Sequence, residues 1–402
     1  MFVSYDGLTD PLGQSQVIPY LAGLTRFGFR FTILSFDKPE AFTKNAGTVK
    51  NILQQYPIKW VSVPYHKNPP VLSSVYDYQL MKKKMREIYR EDPFLMIHTR
   101  PGLPELAAAN LKKRLSVLFF HDVRGFWADE RVDGGMWNRK NPLFNAVYRY
   151  FKSNERKALI NADAINCLTR AARREMLTWP YLKGREISVV SCAADLDLFD
   201  PSRYPREIRT KARTALGFAE DDLIFSYLGS IGGWYLTAEM MRLCKKISDK
   251  IPKAKFLFIS PHRHEVILDA AAESQLPPEI IKTVHAGREE VPGLLAISDI
   301  ALFFIKPCYS KISSSPTKHG EIMAMGLPVI TNTGVGDVAE IVRNTNSGIL
   351  LENFSDESLD KAVNEILNRK FNPEEIRRGA FAYYSLEKAV QTYREAYDKL
   401  LS

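Results

Sequence analysis

The stretch Lys306–Gly326, KPCYSKISSSPTKHGEIMAMG, carries the densest set of chemistry-bearing residue types in the chain. It follows an apolar run ending at Ile305 and reads as a strand leading into a helix. Ser315 is a good N-cap and Pro316 suits the first helical position, which places Lys318 third, where a capping box would carry Glu. A cation in the first turn opposes the helix dipole, at a cost of about 0.3 kcal/mol or more. The arrangement makes sense if an anion occupies the helix start. Free backbone N–H groups, the hydroxyls of Ser314, Ser315 and Thr317, and the Lys318 ammonium would then cradle a phosphate. Glu321 falls three residues later on the same face, where a carboxylate accepts from sugar hydroxyls. The plainer alternative is a capped surface helix on which Lys318 and Glu321 pair.

A second group of polar residues ends apolar strand patterns in the first half. His121 and Asp122 follow Ser116–Phe120, with Arg124 just beyond, and His98-Thr99-Arg100 closes the preceding strand. Polar residues at the carboxyl ends of buried strands belong at a ligand crevice, although His98 alone reads better as structural. Metal chemistry finds little support. Asp195-x-Asp197 lies in a linker, the histidines lack an H-E-x-x-H spacing, and Cys167, Cys192, Cys244 and Cys308 are too far apart for a C-x-x-C site.

The elements that must hold these residues alternate in type. Strand candidates in the first half are 2–5, 31–36, 59–63, 94–98, 116–121, 164–168 and 187–191, with helical patterns such as 14–27, 77–91, 102–113 and 143–161 between them. The second half repeats the scheme with strands near 223–229, 255–260, 281–285, 299–305, 328–331 and 347–351, and helices near 236–250, 289–297, 316–325, 355–368 and 386–401. Many strands are apolar throughout, as expected when both sheet faces are buried. The fold class is therefore α/β, with two tandem doubly wound Rossmann-like domains facing an interdomain cleft. The expected division is 1–194, a linker at 195–204, a second domain at 205–385, and a helix at 386–402 crossing back to the first domain.

Composition narrows the functional classes. At 45% hydrophobic and 25% charged residues the chain is an ordinary globular protein, and 402 residues exceed one core. No apolar run approaches the roughly 18 residues of a membrane span, and the start lacks a secretion-signal pattern, so a reducing cytoplasmic compartment is expected. The net charge of +9 resides wholly in residues 1–200, where 29 Lys and Arg face 20 Asp and Glu; residues 201–402 have 26 of each. Two basic, aromatic-rich stretches, 76–90 and 137–157, suit either a solvated helix face or an anionic membrane surface on the inner face of the cell membrane. Nucleic acid is disfavoured, since no recognition motif is present and the second half is neutral.

Ser315 through Ile330 resembles the S-P-T-K-x-x-E-x-x-A-x-G-x-P-V-I donor-binding motif of retaining, nucleotide-sugar-dependent glycosyltransferases of the GT-B fold, the large family numbered four. Residues 5–14, 190–199, 227–230 and 386–401 are similar to other stretches of that family. The resemblance implies that Glu321 binds the nucleotide ribose and that Ser313 stands where a second family glutamate contacts the donor sugar. It implies an active-site role for His121 and a donor-phosphate loop at Gly13, whose neighbouring family glycine is Leu12 here. The basic pair expected after the first strand of the second domain is replaced around Ser230, leaving Lys306, Lys318 and Arg263 to supply charge. Arg100, Asp122 and Arg124 fall on the acceptor side.

The resulting expectation is a glycosyltransferase that takes a nucleoside-diphosphate sugar as co-substrate. A glycan or lipid-linked hydroxyl is the acceptor, the configuration is retained, and no metal or other cofactor is required. His121 and Lys318 carry the chemistry in this picture. A nucleotide-sugar epimerase of the same architecture and a non-enzymatic glycan or nucleic-acid binder are the rivals.

Overall fold

The computed structural model describes residues 1–69, 71–261 and 264–402. The chain divides into two units, Met1–Ser191 with Leu386–Ser402, and Cys192–Ser385. Each is a Rossmann-like domain around one parallel sheet.

The first sheet has seven strands: β1 (Phe2–Ser4), β2 (Phe31–Asp37), β3 (Ile58–Pro64), β4 (Met96–Thr99), β5 (Leu118–Val123), β6 (Ala164–Cys167) and β7 (Ile187–Val189). Their spatial order is β3-β2-β1-β4-β5-β6-β7, all parallel. The second has six: β8 (Leu223–Leu228), β9 (Ala254–Ile259), β10 (Ile281–Val284), β11 (Ile300–Leu302), β12 (Val329–Asn332) and β13 (Gly348–Leu351). Their order is β10-β9-β8-β11-β12-β13. Both orders reverse direction beside the first strand of the domain, which opens a crevice at the carboxyl ends of the central strands. Strands such as β1, β4, β11 and β12 are buried at every residue, which explains why their sequences show no in/out alternation.

Several boundaries differ from those the sequence suggests, each for a local reason. The helix expected over 14–27 is two helices, Pro11–Gln16 and Ile18–Thr25, because Pro19 has no N–H to continue the ladder. Strand β5 starts at Leu118, since Ser116 adopts a left-handed φ of 50° to end the helix Leu103–Leu115. That shift moves β5 two residues further along the chain, so that Asp122 joins His121 in the strand ladder; the two lie opposite Asn166 and Ile165 of β6. Residues 195–204, expected as a linker, pack as part of the second domain, with Phe199 in its core. Where the chain enters and leaves that domain, Ala194 bridges to Ser385 and its N–H donates to the Tyr384 carbonyl at 2.9 Å.

Candidate active site

The carboxyl ends of β8 and β11 meet the start of the helix Thr317–Ala324 in the second domain. That helix begins one residue later than the sequence suggests, and Ser315 does not cap it: its Oγ accepts the Cys192 N–H at 3.1 Å. Pro316 is the boundary residue, so Lys318 becomes the second helical position and no side chain caps the first turn. The far end of the helix is fixed by Arg377, which donates to the carbonyls of Ala324 and Phe199. Its buried face rests on Tyr384, whose hydroxyl lies 2.8 Å from His319 Nδ1; burial lowers the His319 pKa to about 3 and keeps that imidazole neutral.

Lys318 is buried, and aromatic rings take the place of a counter-ion. Its Nζ lies 3.8 Å from the Tyr235 ring centroid, 4.6 Å from that of Tyr227 and 5.9 Å from that of Phe303, and it donates a long 3.5 Å bond to the Tyr227 hydroxyl. Gly229, at φ 118°, makes room for it: a Cβ there would sit 2.7 Å from Nζ. Burial lowers the ammonium pKa to about 7, with Glu321 opposing the shift. A cation held in this state gains strongly from an arriving anion.

One turn on, Glu321 does not pair with Lys318. Its Oε1 accepts from Arg288 at 2.9 Å, an arginine on the loop after β10 whose guanidinium also lies 5.6 Å from the Phe199 ring. Burial pushes the Glu321 carboxyl up, and Arg288 and then Lys318 counter it. Nothing in the pattern Gly287-Arg288-Glu289-Glu290 marks that arginine beforehand, because the contact joins residues 33 positions apart. Nor does any short-range pattern mark Tyr227, Gly229 or Tyr235 as the surroundings of Lys318.

The remaining second-domain candidates scatter. Ser230 and Lys306 are exposed near the strand ends, where the Lys306 N–H donates to the Trp234 carbonyl and Tyr235 bridges to Ile305. Ser314 and Thr317 are half-buried beside the helix start. Ser313 is buried and its hydroxyl donates to the Ser310 carbonyl at 2.7 Å. Arg263 lies outside the described residues. Asp195 accepts the Leu198 N–H at 2.9 Å in a local turn, and among the described residues no cluster of three His, Cys, Asp or Glu forms a metal site.

The first domain revises the other candidates. His121 is fully buried inside β5, its Nε2 2.9 Å from Glu105 and its Nδ1 3.3 Å from Thr99 Oγ1, so it presents no ring nitrogen to a ligand in this structure. Asp122 is equally enclosed. It accepts from Asn166 at 2.6 Å and from Tyr393 at 2.7 Å, and although burial raises its pKa, Arg124 and His98 hold it well below the usual carboxylate range. Arg124 donates to the Val190 carbonyl at 3.1 Å, and buried Arg100 donates to the Gln16 carbonyl. All three are ties within the domain rather than open acceptor contacts. Gly13 has a backbone reason to be glycine: a Cβ would lie 2.4 Å from the Gly7 carbonyl oxygen and 2.7 Å from Leu8 Cα.

Residues 208–383 match the family model for glycosyl transferases group 1. No curated protein matches the chain. Among solved structures, a glycosyltransferase from Rickettsia africae ESF-5 is 18% identical with a TM-score of 0.72, covering 100% of this chain and 98% of that one. Sucrose-phosphate synthase from Thermosynechococcus elongatus is 14% identical with a TM-score of 0.74, covering 100% and 99%. HepE from Anabaena, solved in complex with UDP, is 13% identical with a TM-score of 0.70, covering 99% of each chain. At these identities the likeness shows the fold, two Rossmann-like domains of GT-B type.

Proposed function

We propose that this chain is a glycosyltransferase that takes its sugar from a nucleoside-diphosphate donor bound in the second domain. The observation that carries the reading is the Lys318 ammonium, buried among Tyr227, Tyr235 and Phe303 at an uncapped helix start. A diphosphate there meets the ammonium and free backbone N–H groups together, and Glu321 is one turn away for ribose hydroxyls. That HepE was solved with UDP and UDP-glucose supports a donor of this class.

The transfer breaks the bond from the anomeric carbon to the diphosphate and forms one to an acceptor oxygen. The acceptor proton passes to the departing phosphate, and the configuration is retained. In this scheme the protein holds the partners in place and stabilises charge developing on the leaving group, chiefly through Lys318. Lys306 and Ser230, exposed at neighbouring strand ends, are further donor contacts. The acceptor, a glycan or lipid-linked hydroxyl, falls to the first domain. There the exposed Val71, Leu72, Val75 and Tyr76 open the basic helix Leu72–Glu91, a composition that suits an anionic lipid surface. Among the described residues, no helix is long and apolar enough to cross a membrane.

Thermal unfolding with UDP, GDP, ADP or dTDP, on wild type and Lys318→Ala, tests the donor site. A nucleotide at about 100 times its Kd adds about 2.7 kcal/mol of stability. One nucleotide should stabilise the wild type and leave the variant unmoved. Stabilisation of both alike would remove Lys318 from the site, and the absence of any shift would favour a non-enzymatic binder. Release of free nucleoside diphosphate only when an acceptor is added separates transfer from epimerisation.

A further inference from the structure

The Arg288–Glu321 pair is lopsided: the carboxylate is buried, while the guanidinium side chain is 43% exposed and reaches in from the loop after β10. An exposed arginine pairing with a surface carboxylate contributes little. Here the partner is a buried acid that no other side chain satisfies among the described residues. Arg288 engages Oε1 at 2.9 Å, and Lys318 lies three residues earlier on the same helix.

We infer that Arg288 is a positioning residue of the nucleotide site, fixing the Glu321 carboxylate through Oε1 so that Oε2 is aimed at the ribose diol of the donor. Given the nucleotide-sugar reading on which this rests, the specificity it confers is for a ribonucleotide over a 2′-deoxynucleotide. A carboxylate accepts from both ribose hydroxyls only when ionised and held still. The charged groups facing Glu321 are Arg288, Lys318 and Asp195; the first two favour its ionised form and Asp195 opposes it. Without Arg288, burial and Asp195 raise the Glu321 pKa further. The ribose acceptor is then lost progressively as pH falls.

The test is calorimetric titration of the full chain with UDP, 2′-deoxy-UDP and inorganic pyrophosphate, at pH 6 and pH 8, for wild type, Arg288→Gln, Arg288→Lys and Glu321→Gln. Arg288→Gln should weaken UDP about tenfold at pH 8 and more at pH 6. It should leave pyrophosphate within twofold and erase most of the preference for UDP over the deoxy form. Arg288→Lys should restore part of the preference, and in the Glu321→Gln background the Arg288→Gln change should add nothing. Equal losses for UDP and pyrophosphate would mean that Arg288 acts on the phosphates or on the fold, and would overturn the inference. So would an unchanged deoxy discrimination. If the wild type binds pyrophosphate but no nucleoside diphosphate, the donor reading itself fails, and this inference with it.

Discussion

An ammonium group enclosed by aromatic rings keeps part of its electrostatic stabilisation but loses its water, and Lys318 shows the balance tilting against the charge. With its pKa lowered to about 7, the folded protein gives up a proton that the unfolded chain keeps up to about pH 10.5. Stability therefore rises with pH between those values, where the unfolded state binds more protons. Lys318→Met should raise the stability of the ligand-free protein by about 2–4 kcal/mol at pH 7 and abolish nucleotide binding, with the gap in stability closing as pH approaches 10. Chemical denaturation of both proteins from pH 7 to pH 10 checks this. A wild type as stable as the variant at pH 7 would mean that the ammonium is not desolvated. A local stability cost of this kind is the pattern expected of a functional group rather than of a core filler.

At the scale of elements, the exit of β8 is shaped around one side chain. Gly229 combines a φ of 118° with a lysine tip where its Cβ would be. Gly229→Ala should cost about 1–3 kcal/mol and, by displacing Lys318, lower nucleotide affinity at least about tenfold. Gly135→Ala separates the two effects. That glycine has a φ of 77° with open space around it, so the change should cost about 1 kcal/mol and leave nucleotide affinity unchanged. Melting and titration of both variants give the comparison. Strand β5 teaches the opposite lesson. Shifted two residues along the chain from its apolar pattern, it takes Asp122 as well as His121 into a buried ladder, where Asn166 and Tyr393 donate to Asp122 and His121 lies beside Glu105 and Thr99.

At the scale of the whole molecule, the last helix, Leu386–Leu401, completes the domain in which the chain began. Tyr397 is fully buried, with its hydroxyl 2.5 Å from His98 Nδ1, and Tyr393 donates to Asp122 at 2.7 Å. Tyr393→Phe should cost about 1–3 kcal/mol, because a buried carboxylate loses a donor, and Tyr397→Ala about 3–5 kcal/mol through the cavity left behind. Neither should alter the stabilisation by nucleotide if the donor binds at Lys318 in the second domain, as proposed. Unfolding with and without nucleotide tests both statements. A loss of the nucleotide effect in Tyr393→Phe would mean that the two domains' properties are coupled.

What the sequence determined was what repeats or stays local. The alternation of apolar strands and amphipathic helices predicts the thirteen strands of the described residues and the α/β class, because a parallel sheet buries both faces of its central strands and writes that burial into their sequences. The Ser315–Glu321 stretch marks the helix start and its lysine, because capping and charge are read over a few residues. What only the tertiary structure decided was which groups meet across distance. Arg288 reaches Glu321, Tyr227 and Tyr235 enclose Lys318, and Cys192 takes the Ser315 hydroxyl that a local reading assigns to the cap. The burial of His121 within β5, beside Glu105 and Thr99, is likewise a matter of tertiary packing. Partners brought together by folding leave no periodic or short-range signature in the chain, and the partner is what fixes whether a charge is neutralised, exposed or poised.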